Sequence, residues 1–377
     1  MEIEELVQET KVYNCLECGE CTANCPIAWF EKDYSPRLIA KKALEGVIDP
    51  REEKIWSCMS CHLCSDRCPS GVDYPRFIWG LRAEALKAGV EEEAYVRELE
   101  ELFLSGDRDE DIGIIREIAA GKTTVEGQDG GMVTSLLIAG LEKGLFERVI
   151  VVQRKDGFGA HAIVTENVAD ILEARGSKYQ FSPTVERLEE AILEGGKKRT
   201  AIVALPCSIY GIRRIQRFYP DAELYAIGLF CFETFYYDLL KPRVSELLGI
   251  DLEHADKIDV KKGKFVVHIG GEQKACEVKE LEPVVRGSCL FCTDFTARLA
   301  DISVGSTGSP DGYSTVITRS EKGEKLFGLL TDIKKTNVDR DEIVKLANLK
   351  KKRGRDELEK LGKRTAKKVM VSRNDRK

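Results

Sequence analysis

The sequence predicts an α/β protein in two parts. An all-helical N-terminal domain is followed by an α/β domain with a mixed sheet and a helical tail. Three observations predict this. Two cysteine runs of identical spacing lie within the first 70 residues, with helical periodicity between and after them. Strand-like and helix-like segments alternate from Gln128 onward. The length, 377 residues, is enough for two or three domains with real cores.

Composition narrows the class. Charged residues make up 32%, above the roughly 25% usual for soluble domains. The richness in Lys and Glu points to a warm-growing source. The longest apolar runs (Ser135–Leu141, Val149–Val152, Ala201–Pro206) fall far short of the ~18 residues a membrane span needs. The start, Met1-Glu-Ile-Glu-Glu, is acidic and has no apolar core, so no secretory signal is expected. Net charge is −6, yet residues 351–377 hold 12 Lys/Arg against 4 Asp/Glu. The rest of the chain is strongly acidic, which argues against a nucleic-acid partner. The tail reads as a solvated basic helix or as a docking element for an acidic partner.

Thirteen cysteines in a cytoplasmic-looking chain do not suggest disulfides. Cys15, Cys18, Cys21 and Cys25 before Pro26 have the spacing C-x2-C-x2-C-x3-C-P, and Cys58, Cys61, Cys64 and Cys68 before Pro69 repeat it. This is the run that holds 4Fe–4S clusters in two-cluster ferredoxins. Three thiolates two residues apart wrap one cubane, and the fourth leaves in another direction to serve the neighbour. Cys15, Cys18, Cys21 and Cys68 are therefore expected on one cluster, and Cys58, Cys61, Cys64 and Cys25 on the other. Zinc sites use two CxxC pairs and need no third and fourth cysteine at these intervals.

Between the runs, Asp33-Tyr-Ser-Pro-Arg has cap-like residues and an early proline, and apolar residues at 38, 39, 43 and 44 share a helical face. Val72-Asp73-Tyr74-Pro75 opens a second helix ending near Gly89. The Ser-Pro-Arg, Trp-x-Cys and Val-Asp-x-Pro signatures resemble the C subunit of heterodisulfide reductase and similar helical ferredoxins. That resemblance covers about residues 10–90, and the domain is placed at 1–95. His62, inside the second loop, is expected at the surface because four thiolates are already supplied.

Residues 96–125 read as a linker with a short helix around Ile112–Ala120. The α/β domain is placed at 126–330. A Gly130-Gly131 turn feeds an apolar helix that stops at Gly144. Strands are expected at 149–152, 200–205, 224–229 and 314–318, and a hairpin turns at Gly270-Gly271. Helices are expected at 183–193, 208–218 and 234–248, and residues 331–377 form the basic helical tail. A Gly-Gly turn at a helix start suits a phosphate, and Thr134 and Ser135 could add hydroxyl donors. Taken alone, a plain tight turn accounts for it. No dinucleotide fingerprint or phosphate-loop lysine pattern is present.

Cys207 and Cys231 follow two predicted parallel strands at their C-terminal ends, where α/β proteins place their sites. Cys289-Leu-Phe-Cys292 adds a CxxC, giving four convergent thiols for a third cluster or a zinc. Cys276 falls within a hairpin strand and reads as structural.

The segments Gly130-Gly131-Met-Val-Thr-Ser, Gly176-Ser177-Lys178-Tyr179, Leu205-Pro-Cys207 and Cys289-x-x-Cys292-Thr-Asp-Phe, with Leu299 to Gly305, are similar to the beta subunit family of coenzyme F420 (deazaflavin) hydrogenases and dehydrogenases. The resemblance spans about residues 125–330. It implies bound FAD, one 4Fe–4S cluster on Cys207, Cys231, Cys289 and Cys292, and hydride exchange with coenzyme F420 as substrate. It implies Gly130, Gly131, Thr134, Ser135, Gly176, Ser177, Lys178 and Tyr179 as flavin-pocket residues. Lys178 and the Arg213-Arg214 pair are expected to make the cleft basic; the plainer reading of the two arginines is a solvated helix face.

The expected function is oxidation of reduced coenzyme F420, with electrons passing through three 4Fe–4S clusters to a redox partner such as heterodisulfide reductase-like subunits. The alternatives are an electron-transfer adaptor of a formate dehydrogenase or hydrogenase complex, and a direct flavin-dependent reductase. The cofactors carry the chemistry, so no catalytic acid–base residue is expected. The expected location is cytoplasmic, free or peripheral to a membrane complex.

Overall fold

The computed structural model describes residues 3–374 except 156, 158 and 195–197; side chains at 193, 194 and beyond 363 lie outside the description. Every regular element described between Ile3 and Phe103 is a helix. Pro36–Leu44 starts behind Ser35, whose hydroxyl accepts from the Leu38 amide at 3.2 Å, and Pro36 fills the first turn, where a missing N–H costs nothing. Tyr74–Lys87 starts behind Asp73, which accepts from the Arg76 amide, and Gly89 follows it in the left-handed region.

The segment read as a linker is structured. Glu92–Phe103 is a helix, and Asp107–Asp109 pairs with Gly113–Ile115 as an antiparallel ribbon. Glu117–Lys122 joins the main sheet between Ser314–Thr318 and Lys334–Thr336. The helix expected around 112–120 is thus two strands. Its β-branched isoleucines fit a pleated surface, and Gly113 takes φ 84, which a helix cannot use.

The main sheet has eight strands, in the order 334–336, 117–122, 314–318, 302–305, 224–229, 200–204, 148–155, 159–165. The four strands from 302–305 to 148–155 run parallel; the flanking pairs are antiparallel. The parallel strands are short apolar runs, as burial on both faces requires: Ala201, Ile202, Ala226 and Ile227 are all fully buried. Gly228 is needed because a Cβ there would lie 2.3 Å from that of Ala297 in the loop crossing above it. Strands 117–122, 159–165 and 302–305 were not read from sequence. The helix expected over 183–193 is present as one continuous helical run from 184 to 194, wound tighter over Thr184–Arg187 and wider over Glu190–Glu194.

One face of the sheet is covered by Met132–Glu142 and Glu321–Gly328, packed through Leu136, Leu137 and Leu326. The other is covered by Pro206–Phe218 and then by the N-terminal helices. Ile202, Ile209, Ile212 and Ala226 share one apolar core with Ile55, Trp56, Phe77 and Ile78. A third core lies between Tyr237–Leu248 and the antiparallel strands 257–261, 264–269 and 272–277. Cys276 is buried in this core, which contains Phe265 and Val267.

The two parts are riveted by polar contacts. Arg214 is 1% exposed and pairs with Glu31 at 3.3 Å and with the Ser57 hydroxyl at 2.7 Å. Arg213 is instead paired within the α/β part, buried on Asp301 at 3.0 Å. Neither arginine forms a solvated face or lends charge to an open cleft, which corrects both readings of the pair. The helix Pro206–Phe218 is buried on both sides between sheet and N-terminal helices, so its cations must be paired internally.

The C-terminal helix, Arg340–Asn374, is also no free appendage over its described side chains. Ile343 and Ala347 are buried with Phe295 and Ile317, and Leu361 packs with Trp79 and Ala83. The remainder of the basic tail, from 364 on, lies outside the described side chains.

Candidate metal centres and flavin pocket

The two cysteine runs have nearly the same backbone. Cys15 and Cys58 both have extended conformations, with φ/ψ of −62/120° and −66/121°. Glu17 and Ser60 are left-handed at φ 53° and 56°, and Gly19 and His62 at φ 88° and 70°. One-turn helices, Glu20–Ala23 and Leu63–Asp66, then carry the third cysteine of each run. Left-handed kinks either side of the second cysteine curl the loop and turn amides inward; the Ser60 amide donates to Cys58 Sγ at 3.3 Å.

The thiols assemble into three quartets. Cys21 feels Cys15, Cys18 and Cys68 as its charged neighbours. Cys25 lies beside Cys58 and Cys61, and a cavity of ≈ 10 Å³ is lined by Cys25, Cys58, Cys61 and Cys64. The fourth cysteine of each run therefore stands with the other run. Cys207, Cys231, Cys289 and Cys292 line a second cavity of ≈ 90 Å³, which Cys58 also borders. Cys207 and Cys231 reach it because strands Thr200–Ala204 and Leu224–Leu229 are parallel neighbours. The quartets stand in file: Cys64 is near Cys21 on one side, and Cys61 is near Cys207 on the other.

Burial pushes the Cys61 thiol up to about 12 and the Cys292 thiol up to about 11, and raises Cys25, Cys64 and Cys231 as well. Thiols in such places give up their protons to a bound metal. Among the described residues no group of three or more His, Cys, Asp or Glu side chains has the arrangement for a single metal ion. A cubane binds each thiolate to a different iron and takes a wider quartet. The donor set fits 4Fe–4S clusters.

Sequence reasoning missed what surrounds the third quartet. Lys350, 1% exposed, donates from Nζ to the Cys231 carbonyl at 2.5 Å, and Arg353 donates to the Cys289 carbonyl at 3.1 Å. Both come from the C-terminal helix, where they were indistinguishable from the other basic residues. His62 is also corrected. Its Nε2 lies 2.9 Å from the Ser288 hydroxyl, and burial holds its imidazole down at about 3. The second loop is covered by the α/β part, so His62 is a half-buried contact with Ser288 and Tyr236 rather than a free surface residue.

The flavin-pocket candidates come together through a residue that no motif flagged. Gln128 donates to the Ile258 carbonyl at 2.9 Å and accepts from the Ser177 amide at 3.0 Å, tying the Gly130 turn to Gly176–Tyr179 and the strand Lys257–Lys261. Tyr179 is left-handed, at φ 50, and its hydroxyl accepts from the Val260 amide. Gly131 has φ 68, and a Cβ there would meet the Val125 carbonyl oxygen, so the loop's own packing already demands glycine. Thr134 and Ser135 are buried, and the Ser135 hydroxyl is spent on Thr123 at 2.7 Å. Lys178 Nζ donates to the carbonyls of Ala174 and Gly176; burial and then Arg154 hold its ammonium down at about 7. Arg154 in turn donates to the Ala255 and Asp256 carbonyls.

Residues 118–189 and 197–346 match the family models described as Coenzyme F420 hydrogenase/dehydrogenase, beta subunit, N-term and C terminus. Residues 11–72 match a 4Fe-4S dicluster domain. The coenzyme F420 hydrogenase subunit beta of Methanococcus voltae is 36% identical over 62% of this chain and 88% of its own length. The chain belongs to the coenzyme F420 hydrogenase/dehydrogenase beta subunit family. Another member, the coenzyme F420 hydrogenase subunit beta of Methanothermobacter thermautotrophicus, is 36% identical over 57% of this chain and 81% of its own. The coenzyme F420-dependent sulfite reductase of Methanocaldococcus jannaschii is 42% identical over 63% of this chain, but the match spans only 40% of that relative. A chain from the F420-reducing NiFe hydrogenase complex of Methanosarcina barkeri superposes with a TM-score of 0.64 at 28% identity, covering 67% of this chain and 94% of that one. The family thus accounts for the α/β part, and the dicluster match for the two cysteine runs.

Proposed function

We propose that the chain oxidises reduced coenzyme F420 at a bound FAD and delivers the electrons one at a time, through three 4Fe–4S clusters, to a partner redox complex. A hydride brings two electrons to the flavin, and each cluster takes one. The observation that carries this reading is the file of three cysteine quartets, which links the family domain to the outer end of the N-terminal helices. Cys207, Cys231, Cys289 and Cys292 hold the first cluster in line. Cys25, Cys58, Cys61 and Cys64 hold the second, and Cys15, Cys18, Cys21 and Cys68 the third. Residues 1–95 then act as a helical two-cluster ferredoxin head of the heterodisulfide reductase C type.

FAD is assigned to the Gly130–Ser135 turn and Gly176–Tyr179, with Lys178 against its diphosphate. The absence of a dinucleotide fingerprint supports the deazaflavin as hydride donor over a nicotinamide. The relatives that are hydrogenase subunits support a multi-subunit redox partner. The 42% identity to an F420-dependent sulfite reductase supports a second reading, in which the electrons go to a reductase centre. Among the described residues no helix is long and apolar enough to cross a membrane, and a cytoplasmic location is part of the proposal.

The test is an anaerobic assay of the holoprotein with reduced coenzyme F420 and a one-electron dye. Dye reduction with reduced coenzyme F420 and none with NADH or NADPH is expected. Rapid flavin reduction by a nicotinamide alone would replace the substrate while leaving the cluster file standing.

A further inference from the structure

We propose that Arg286 is the shared counter-charge of the two inner cluster sites and holds both at a higher reduction potential than their cysteines alone would set. The inference rests on the cluster assignment above. Arg286 is 2% exposed. One end of its guanidinium donates to the Ser60 carbonyl, inside the loop between Cys58 and Cys61. The other end lies 3.9 Å from Cys207 Sγ. The group lies 3.8 Å from the centre of the Phe181 ring, and its Nε has no hydrogen-bond partner among the described residues. The groups that act on it most are Cys207, Cys289 and Cys61, so it stands between two quartets; Asp66 also feels its charge but forms no ion pair with it among the described residues.

None of these contacts is a carboxylate. Three other buried arginines have one: Arg213 pairs with Asp301, Arg214 with Glu31, and Arg298 with Glu93 and Glu100. Arg319 has none, but all three of its nitrogens donate to neutral acceptors, the Ser303 and Thr296 hydroxyls and the carbonyls of Ile112, Ile114 and Thr296. A guanidinium buried with neither a carboxylate nor a full set of neutral acceptors needs another anion. A cubane held by four thiolates is a net anion and becomes more negative on reduction. A fixed cation beside it stabilises the reduced form more than the oxidised form, which raises the potential. Placed between two such anions, the same cation also offsets their mutual repulsion. Lys350 makes a useful contrast. It is equally buried, but the groups that act on it most are Cys292, Cys231 and Cys289, all of one quartet, and the Asp294 carboxylate.

The experiment is a potentiometric titration of the holoprotein followed by electron paramagnetic resonance. Arg286→Gln is expected to lower the midpoint potentials of two of the three clusters at least tenfold in electron affinity, about 59 mV for a one-electron couple. The cluster on Cys15, Cys18, Cys21 and Cys68 should not move. Lys350→Met should lower one cluster only. Two inner potentials unchanged at full iron content would overturn the proposal, and so would an equal shift of all three. If the Gln variant loses iron, Arg286→Lys decides. Potentials near those of the parent protein uphold the role of charge; potentials that fall in this charged variant overturn it. A parent holoprotein that lacks three cluster signals would overturn the cluster assignment instead, so the two failures are distinguishable.

Discussion

The two cysteine runs share spacing and backbone but not surroundings. The first is open: Cys18 is exposed, and Leu16 beside it is 73% exposed. The second is closed: Cys58 and Cys64 are buried, and Met59 and Ser60 are at 4% and 3%. The position after the second cysteine shows the difference best. It is left-handed in both loops, and the first run meets it with Gly19, the natural residue there. The second run places His62 there, and the imidazole contacts Ser288 and Tyr236 of the α/β part. One loop shape thus serves an outer site facing solvent and an inner site facing the third quartet. The motif sets the loop; the packing around it sets its place in the file.

The largest expected contrast is in iron content. Cys18→Ser should remove only the outer cluster, about four of ~12 irons, and leave the two inner clusters' spectra unchanged. Cys58→Ser should remove an inner cluster and cut the outer site off from the third quartet. Equal loss of all iron in both variants would mean that the sites are not independent.

Next in size is the joint that encloses the inner run. Arg214→Leu leaves Glu31, at 3% exposure, without its buried guanidinium. We expect a loss of about 3–5 kcal/mol in chemical denaturation. A loss under 1 kcal/mol would show that Lys54, 3.4 Å from Glu31, suffices.

Smaller still is the strain in the outer loop. A Cβ on Gly19 would meet nothing within 4 Å, so Gly19→Ala should cost only the left-handed penalty, about 1–2 kcal/mol. His62→Ala keeps the same backbone but leaves the Ser288 hydroxyl without its ring partner. It should therefore loosen the inner site, read as faster iron loss to a chelator, while Gly19→Ala should not affect that site.

The smallest effect lies far from both runs. The Lys178 ammonium is held down at about 7 from an ordinary 10.5. The unfolded chain binds this proton more tightly across that window, so FAD-free protein should gain stability as pH rises from about 7 toward 10.5, and the penalty is full below 7. After solvent screening the effect should be about 1 kcal/mol. Lys178→Met should flatten this slope in thermal melts of the flavin-free protein; an unchanged slope would point to another group.

Much of the site was legible because cysteine spacing is a local signal. The positions of Cys207 and Cys231 past two strands were legible too, because apolar runs of five or six residues announce parallel strands. The strands at 117–122 and 302–305 were not, since Glu-Ile-Ala-Ala-Gly-Lys and Ile-Ser-Val-Gly are short and form strands through their partners. Arg213, Arg214, Arg286 and Lys350 look like surface cations in the sequence. Only the tertiary arrangement shows that Arg214 rivets the halves, that Arg213 is paired inside the α/β part, and that the other two stand at the cysteines. Gln128 carried no motif at all, because its role is to join loops far apart in the chain.

The file of three sites is tested most directly by an iron-edge anomalous diffraction map of the holoprotein. The account predicts three cubanes in line, with Cys68 on the cluster of Cys15, Cys18 and Cys21, Cys25 on that of Cys58, Cys61 and Cys64, and the third on Cys207, Cys231, Cys289 and Cys292. A map with Cys68 closing its own run, or with no iron at the Cys207 quartet, would contradict it.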